Sequence, residues 1–283
     1  MTRWKTSSSI SWRASMFRVE LSKQVRRWRT WLLAAALAGV PVLVVVAIRL
    51  SPPPPQNSQD APPFLLQIVR NGLFAPLTGL ALVQPFFMSL AIGLFAGDAI
   101  AGEAQSGTLR YLLVRPVRRP RLIVSKYAAA MTFTGTLLLI VICSGLFAGG
   151  IVFGIHPMPT LSGTSLSVVD GLARILASGA FIVLAASGIV AVGMWISTLT
   201  DSGPGAIVAT VIVAIASQIA DQIPSLHAIQ PFLPTHGWLG YTGLFRFPVD
   251  LVTMREGLTV SAAYTAVFLA LAVWRFRRRD ITA

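Results

Sequence analysis

The chain has 283 residues, 54% of them hydrophobic and only 12% charged, against roughly a quarter charged in an ordinary globular protein. Mean hydropathy is +0.71, and several uncharged apolar runs reach the roughly 18 residues needed to cross a bilayer core. These values exclude a soluble globular enzyme and predict an integral membrane protein. The net charge of +13 would suit nucleic acid, but in a membrane protein Lys and Arg gather on the cytoplasmic side.

The elements follow in chain order. Within residues 11–29, Ala14, Phe17, Leu21, Val25 and Trp28 fall at helical spacing on one face, with basic residues over much of the rest. That pattern predicts a helix lying in the membrane interface with its arginines at anionic headgroups. Residues 31–48 carry no charge and end before the turn-forming 51–55 run. Arg26-Arg27 ahead of them superficially matches a twin-arginine signal. Yet a long basic segment precedes the run and further spans follow, so an uncleaved first helix is expected.

Residues 74–97 form a second uncharged run, and 127–155 a third, closed by His156, Pro157 and Pro159. Runs 175–200, 205–220 and 258–274 complete a set of six. Irregular backbone cannot face lipid, so all six are read as helices. The predicted fold is an all-α integral membrane protein with six transmembrane helices, in one domain. Residues 1–30 form its amphipathic segment, 31–274 the six-span region and 275–283 a basic tail.

Charge gives the orientation. Of 23 Lys and Arg residues, 18 fall in 1–30, 98–126 and 275–283, leaving only Arg49, Arg70, Arg174, Arg246 and Arg255 elsewhere. The positive-inside rule places those three segments, and both termini, in the cytoplasm. The lone cysteine, Cys143, can form neither an intrachain disulfide nor a multi-cysteine metal site.

The passage "GEAQSGTLRYLLVRPVRRPRLIVSK", residues 102–126, is longer than a connector between packed helices needs to be. Residues 103–114 are predicted to form a short helix, with Ser106 or Thr108 capping its later part. Arg115, preceding Pro116, stops it, and Pro120 suits the first turn of the next helix. The short helix offers Thr108, Leu109, Leu112 and Leu113 as an apolar and hydroxyl surface, flanked by Glu103 and Arg110.

With its flanks, "GDAIAGEAQSGTLRYLLVRPVRRPRLIVSKY" resembles the loop between the second and third helices of ABC-2 type transporter permeases. The matching positions are Glu103, Gly107, Thr108, Leu109, Leu112, Leu113, Pro116, Arg119 and Lys126. "FRVELSKQVRRWRTWLL" resembles the family's N-terminal elbow helix, and "ISTLTDSGPGAIVATVIVAI" its tight turn between spans 4 and 5. Residues 49–73 and 221–257 match nothing in that family's pattern.

The resemblance implies the transmembrane subunit of an ATP-driven exporter in the bacterial plasma membrane. It implies a cytoplasmic coupling helix between spans 2 and 3, docked on a separate ATP-binding subunit through Glu103, Gly107, Thr108, Leu109, Leu112 and Leu113. The functional unit would hold two permease chains, alike or different, and two ATPases, with ATP and Mg on the partner and no cofactor on this chain. The chain indeed has no G-x-x-x-x-G-K-[ST] phosphate cradle.

Other classes fit less well. An ion-coupled secondary carrier keeps an ionisable group within the membrane, whereas the acids here read as lying in loops, tails or at span edges. A membrane enzyme is disfavoured because His156, His227 and His236 show no metal-ligand spacing such as H-E-x-x-H. A non-transporting anchor or assembly protein would not need the coupling-type loop. The proline- and aromatic-rich segment 221–257 is expected to dip into the outer leaflet with Trp238 and Tyr241 at the interface, or to form an ordered lid.

Overall fold

The computed structural model describes residues 17–51, 64–108, 119–160, 163 and 165–278. Helix α1 covers residues 17–25, and six longer helices follow, each long and apolar enough to cross a membrane. They are α2 (Trp28–Leu50), α3 (Gly72–Gln105), α4 (Arg119–Phe153), α5 (Val168–Leu199), α6 (Gly203–Asp221) and α7 (Val252–Arg278). The protein is an all-α, multi-pass membrane protein. Every predicted span is present, and most extend beyond their uncharged cores, because charges at the ends of a long helix reach past the roughly 30 Å of hydrocarbon.

Helices α3 and α5 are the most buried spans, while α2, α6 and α7 leave most of their surface uncovered. Apolar exposure on that outer surface, such as Leu43, Val208, Ile212 and Val267, is what lipid contact requires. Small residues bring the spans together. Gly145 and Gly149 of α4 meet Pro76 and Gly72 of α3 so closely that a Cβ on either glycine of α4 would strike the α3 backbone. Such small-residue seams supply packing where no hydrophobic driving force separates helix from lipid. At that end Asn71 is buried, and its Nδ2 donates to the His156 carbonyl at 2.7 Å. Its Oδ1 accepts from the Leu73 amide at 3.0 Å, capping α3.

Helix α3 is not a regular α-helix. Gln84–Met88 and Gly93–Gly97 are π-helical. Pro85 lacks an N–H and cannot continue the ladder, and polar side chains of neighbouring helices bond α3 at or beside its irregular stretches. Gln218 of α6 donates to the Pro85 carbonyl and to Ser89 Oγ, each at 3.1 Å. Just past the second π segment, Ser197 Oγ of α5 accepts from the Ile100 and Ala101 amides, each at 2.9 Å.

Between α4 and α5 a minimal antiparallel pair joins β1 (Met158–Pro159) to β2 (Ser165–Leu166). Between α6 and α7 the chain forms 3-10 turns at Pro224–Leu226, Gln230–Phe232 and Trp238–Phe245. This segment corrects the sequence reading. Trp238 and Tyr241 are 5% and 0% exposed, inside the bundle and not at a lipid interface. Trp238 Nε1 donates at 3.2 Å to the Ala185 carbonyl, near the middle of α5, and Tyr241 Oη to the Leu77 carbonyl at 3.4 Å. Arg174 of α5 also donates to the Leu244 carbonyl. The segment therefore re-enters the bundle. Non-helical backbone at that depth is tolerated only when buried in protein or lining a cavity, so its aromatics turn inward.

Candidate functional site: an ionic clamp across the loop between α3 and α4

The predicted loop helix does not start at Glu103. Asp98–Gln105 is helical in continuity with α3, so Glu103 belongs to the last turn of that span. The helix stops because Gly107 takes a left-handed conformation, φ +67°, the usual C-terminal stop for which glycine is suited. The hydroxyls of Ser106 and Thr108 each donate to the Glu103 carbonyl at 3.3 Å.

The predicted contact residues consequently separate. Gly107 and Thr108 are exposed. Leu109, Leu112 and Leu113 lie outside the described residues. Glu103 does not face outward: it is 7% exposed and paired within its own chain. Lys126 Nζ, on α4, lies 2.8 Å from Glu103 Oε1 and 3.3 Å from Glu20 Oε1. Lys23 Nζ, on α1, lies 3.0 Å from Glu103 Oε1 and 3.7 Å from Glu20 Oε1. Two ammonium and two carboxylate groups thus join α1, the end of α3 and the start of α4.

Burial sets the strength of this cluster. Lys126 is 3% exposed and Glu20 8%. A charge so far from water is tolerable only when paired, and removing one member of a buried pair costs about 3–5 kcal/mol. Lys23 is half-buried. Burial works against its ammonium, yet the Glu103 and Glu20 carboxylates outweigh that and hold its pKa above the usual 10.5. Beside the cluster Arg27 Nη1 meets Asp98 Oδ2 at 2.6 Å, fixing the junction of α1 and α2 to α3.

Two further bonds close this end of the bundle. Gln105 Oε1 accepts from the Gly203 amide at 2.9 Å, tying α3 to the start of α6. Arg119 Nη1 donates to the Phe276 and Arg277 carbonyls at 3.1 and 2.9 Å, satisfying acceptors that the end of α7 leaves open. Of the loop motif, then, Glu103, Arg119 and Lys126 all serve contacts inside the chain.

Sequence reasoning missed Glu20, Lys23, Arg27 and Asp98 as site members. A signal existed: Glu20 is the only acid among the eight basic residues of the first 30, and only three residues in the chain are lysine. The apolar stripe drew attention away from them. Val25 and Trp28 point away from the protein at 46% and 67% exposure, while Glu20 is buried and Leu21 packs against the core, so α1 docks through a mixed face that carries one acid inward. Among the described residues no group of three or more His, Cys, Asp or Glu is placed to hold a metal ion.

A family model described as "Protein of unknown function (DUF2705)" matches residues 56–282, and the chain belongs to that family. No curated protein matches it.

Proposed function

We propose that this member of a family of unknown function is the permease subunit of an ATP-driven exporter in the bacterial plasma membrane, carrying a hydrophobic or amphipathic substrate. A separate ATP-binding chain, in two copies, would supply the energy, and a second permease chain would complete the unit. The ionic clamp is the observation that carries this reading. Residues 106–118 join α3 to α4, and Glu103 and Lys126, on either side of them, pair directly at 2.8 Å. α1 locks over both through Lys23 and Glu20.

A force applied to residues 106–118 would therefore reach α3, α4 and α1 together. That is the property a coupling element needs. A loop that merely linked two spans would need no buried charges beside it, at the cost such burial carries. The positive-inside asymmetry supports a cytoplasmic location for this stretch, where an ATP-binding partner would reach it. The ion-coupled alternative finds less support. Asp98, Glu103 and Lys126 lie near one end of their helices and are engaged in ion pairs.

A photo-crosslinking residue at position 109, in membranes of the native host, tests the proposal. The expected product joins this chain to a protein containing a P-loop, whose ATPase rate changes on reconstitution with the permease. The same residue at position 277 should give no such product. If position 109 yielded only lipid adducts, or a partner without an ATP site, the exporter reading would fail. Leu109→Asp should abolish the ATPase crosslink from a second loop position, 112, while leaving membrane insertion intact.

A further inference from the structure

At the end of the bundle opposite the clamp lies a cavity of about 930 Å³, within the range of small-molecule sites. It is bounded by α3, α6, the start of α7 and the re-entrant segment, with Ala81, Leu82, Pro85 and Leu239 supplying apolar wall. Its polar lining includes Gln84 and two acids, Asp221 and Asp250.

Gln84 lines the cavity and is 2% exposed. Its Nε2 donates to the Trp238 carbonyl at 3.1 Å, which fixes the amide, since the flipped orientation would set two oxygens face to face. Its Oε1 is left buried with no hydrogen-bond partner, a costly state for a native acceptor. The residue opens the π-helical segment Gln84–Met88, and such bulges recur at functional sites.

Two carboxylates also line the cavity. Asp221 closes α6, where the helix dipole already presents negative charge and an acid is unfavourable on its own. Its Oδ1 lies 2.6 Å from His236 Nδ1. Asp250 Oδ1 accepts from the Val252 amide at 3.0 Å. A carboxylate has about four lone-pair sites, so each retains capacity for another donor. Besides His236, the one basic residue on the lining is Arg246, which is exposed.

An orphaned amide oxygen and two acids call for a ligand rich in N–H donors and positively charged, and the apolar wall calls for an apolar body. We propose that this cavity binds an amphipathic primary amine, its ammonium group held among Gln84 Oε1, Asp221 and Asp250 and its hydrocarbon against the α3 wall. The site is a binding claim about this chain alone. It needs no ATP-binding partner, so its failure would leave the exporter proposal standing, and the converse.

The full chain in phosphatidylcholine nanodiscs, titrated with dansyl-labelled dodecylamine, tests it. Saturable binding should weaken about tenfold or more in Asp221→Asn and in Asp250→Asn, both partly exposed positions where the amide preserves size. The matching dansyl carboxylate should compete poorly. Competition by phosphatidylethanolamine in the nanodisc would identify a lipid headgroup as the source of the ammonium. Its absence would point to a free single-chain amine. Non-saturable uptake unchanged by the double variant would mean simple partition into lipid and would overturn the site. Preference for the carboxylate, lost in Arg246→Ala, would overturn it as well.

Discussion

Lys126→Met is the sharpest test of the clamp. Methionine keeps the length and apolar stem of lysine and removes the charge. In the native arrangement Lys126 Nζ answers Glu103 at 2.8 Å and Glu20 at 3.3 Å, and the variant leaves both acids to Lys23 alone. Lys23 lies 3.0 Å from Glu103 but 3.7 Å from Glu20, so Glu20 loses most. Breaking a buried pair costs about 3–5 kcal/mol, and with Lys23 still present the low end, ~3 kcal/mol, applies. Each 1.4 kcal/mol is tenfold, so the equilibrium for lifting α1 off the bundle should shift by roughly a hundredfold. Limited trypsinolysis at the exposed Arg26–Arg29 run reads that equilibrium, because cleavage tracks the population of the open form when closing is fast. Cleavage should accelerate by about the same factor, while the six spans stay inserted. The double variant Lys126→Met/Glu103→Gln should recover part of the loss, since removing both charges avoids the stranded one. Unchanged cleavage in the single variant, or a double variant worse than the single, would refute the buried-pair reasoning.

Other outcomes follow from the same geometry. The pKa of Lys23 is raised in the folded state, so its contribution is complete below the free value of 10.5 and is lost only as pH rises through the higher folded value. A spin label at the exposed Ser22 should therefore stay immobilised from neutrality to about pH 10 and loosen above it; release near pH 8 would contradict the assignment. Trp238, buried and bonded to Ala185, should resist both lipid-borne quenchers and aqueous iodide, and quenching by either would show that the re-entrant segment leaves the bundle. With Cys143 replaced, a cysteine at Ser106 should label only from the cytoplasm and one at Ser225 only from outside, and the reverse pattern would invert the orientation drawn from charge.

What the sequence made legible was what one-dimensional patterns encode. Uncharged runs located the six spans, Pro120 marked the start of α4, and His156 and Pro157 marked where α4 had stopped. The clamp was less legible because its members sit 83 and 106 residues apart along the chain, at Glu20, Glu103 and Lys126, and pairing over such distances leaves no local signature. Local pattern was incomplete: α1 has an apolar stripe, yet Glu20 beside it is the buried residue, and of the stripe's described residues only Leu21 packs on the core. Trp238 and Tyr241 read as interface anchors by composition, but hydrogen bonds to Ala185 and Leu77 hold them inside. The π segments of α3 were also hidden, since only Pro85 interrupts an otherwise ordinary helical pattern.

Helix α3 ties these features into one argument. One of its ends carries Glu103 in the clamp, and Gln84, well along toward the other, carries the unpaired oxygen of the cavity. Both π segments lie along this stretch, and polar side chains of two neighbours bond at the first and just past the second: Gln218 of α6 at Pro85 and Ser89, Ser197 of α5 at Ile100 and Ala101. Gln218 also lines the cavity, so the residue that closes the backbone defect of α3 is itself part of the cavity wall. A π turn holds its extra residue only while its displaced carbonyls and amides find partners. A shift of α3 driven from the clamp end would have to exchange those partners, and Gln218 could not be exchanged without reshaping the wall beside Gln84. The two ends of the protein are thus joined by one irregular helix whose irregularities are where its neighbours grip it.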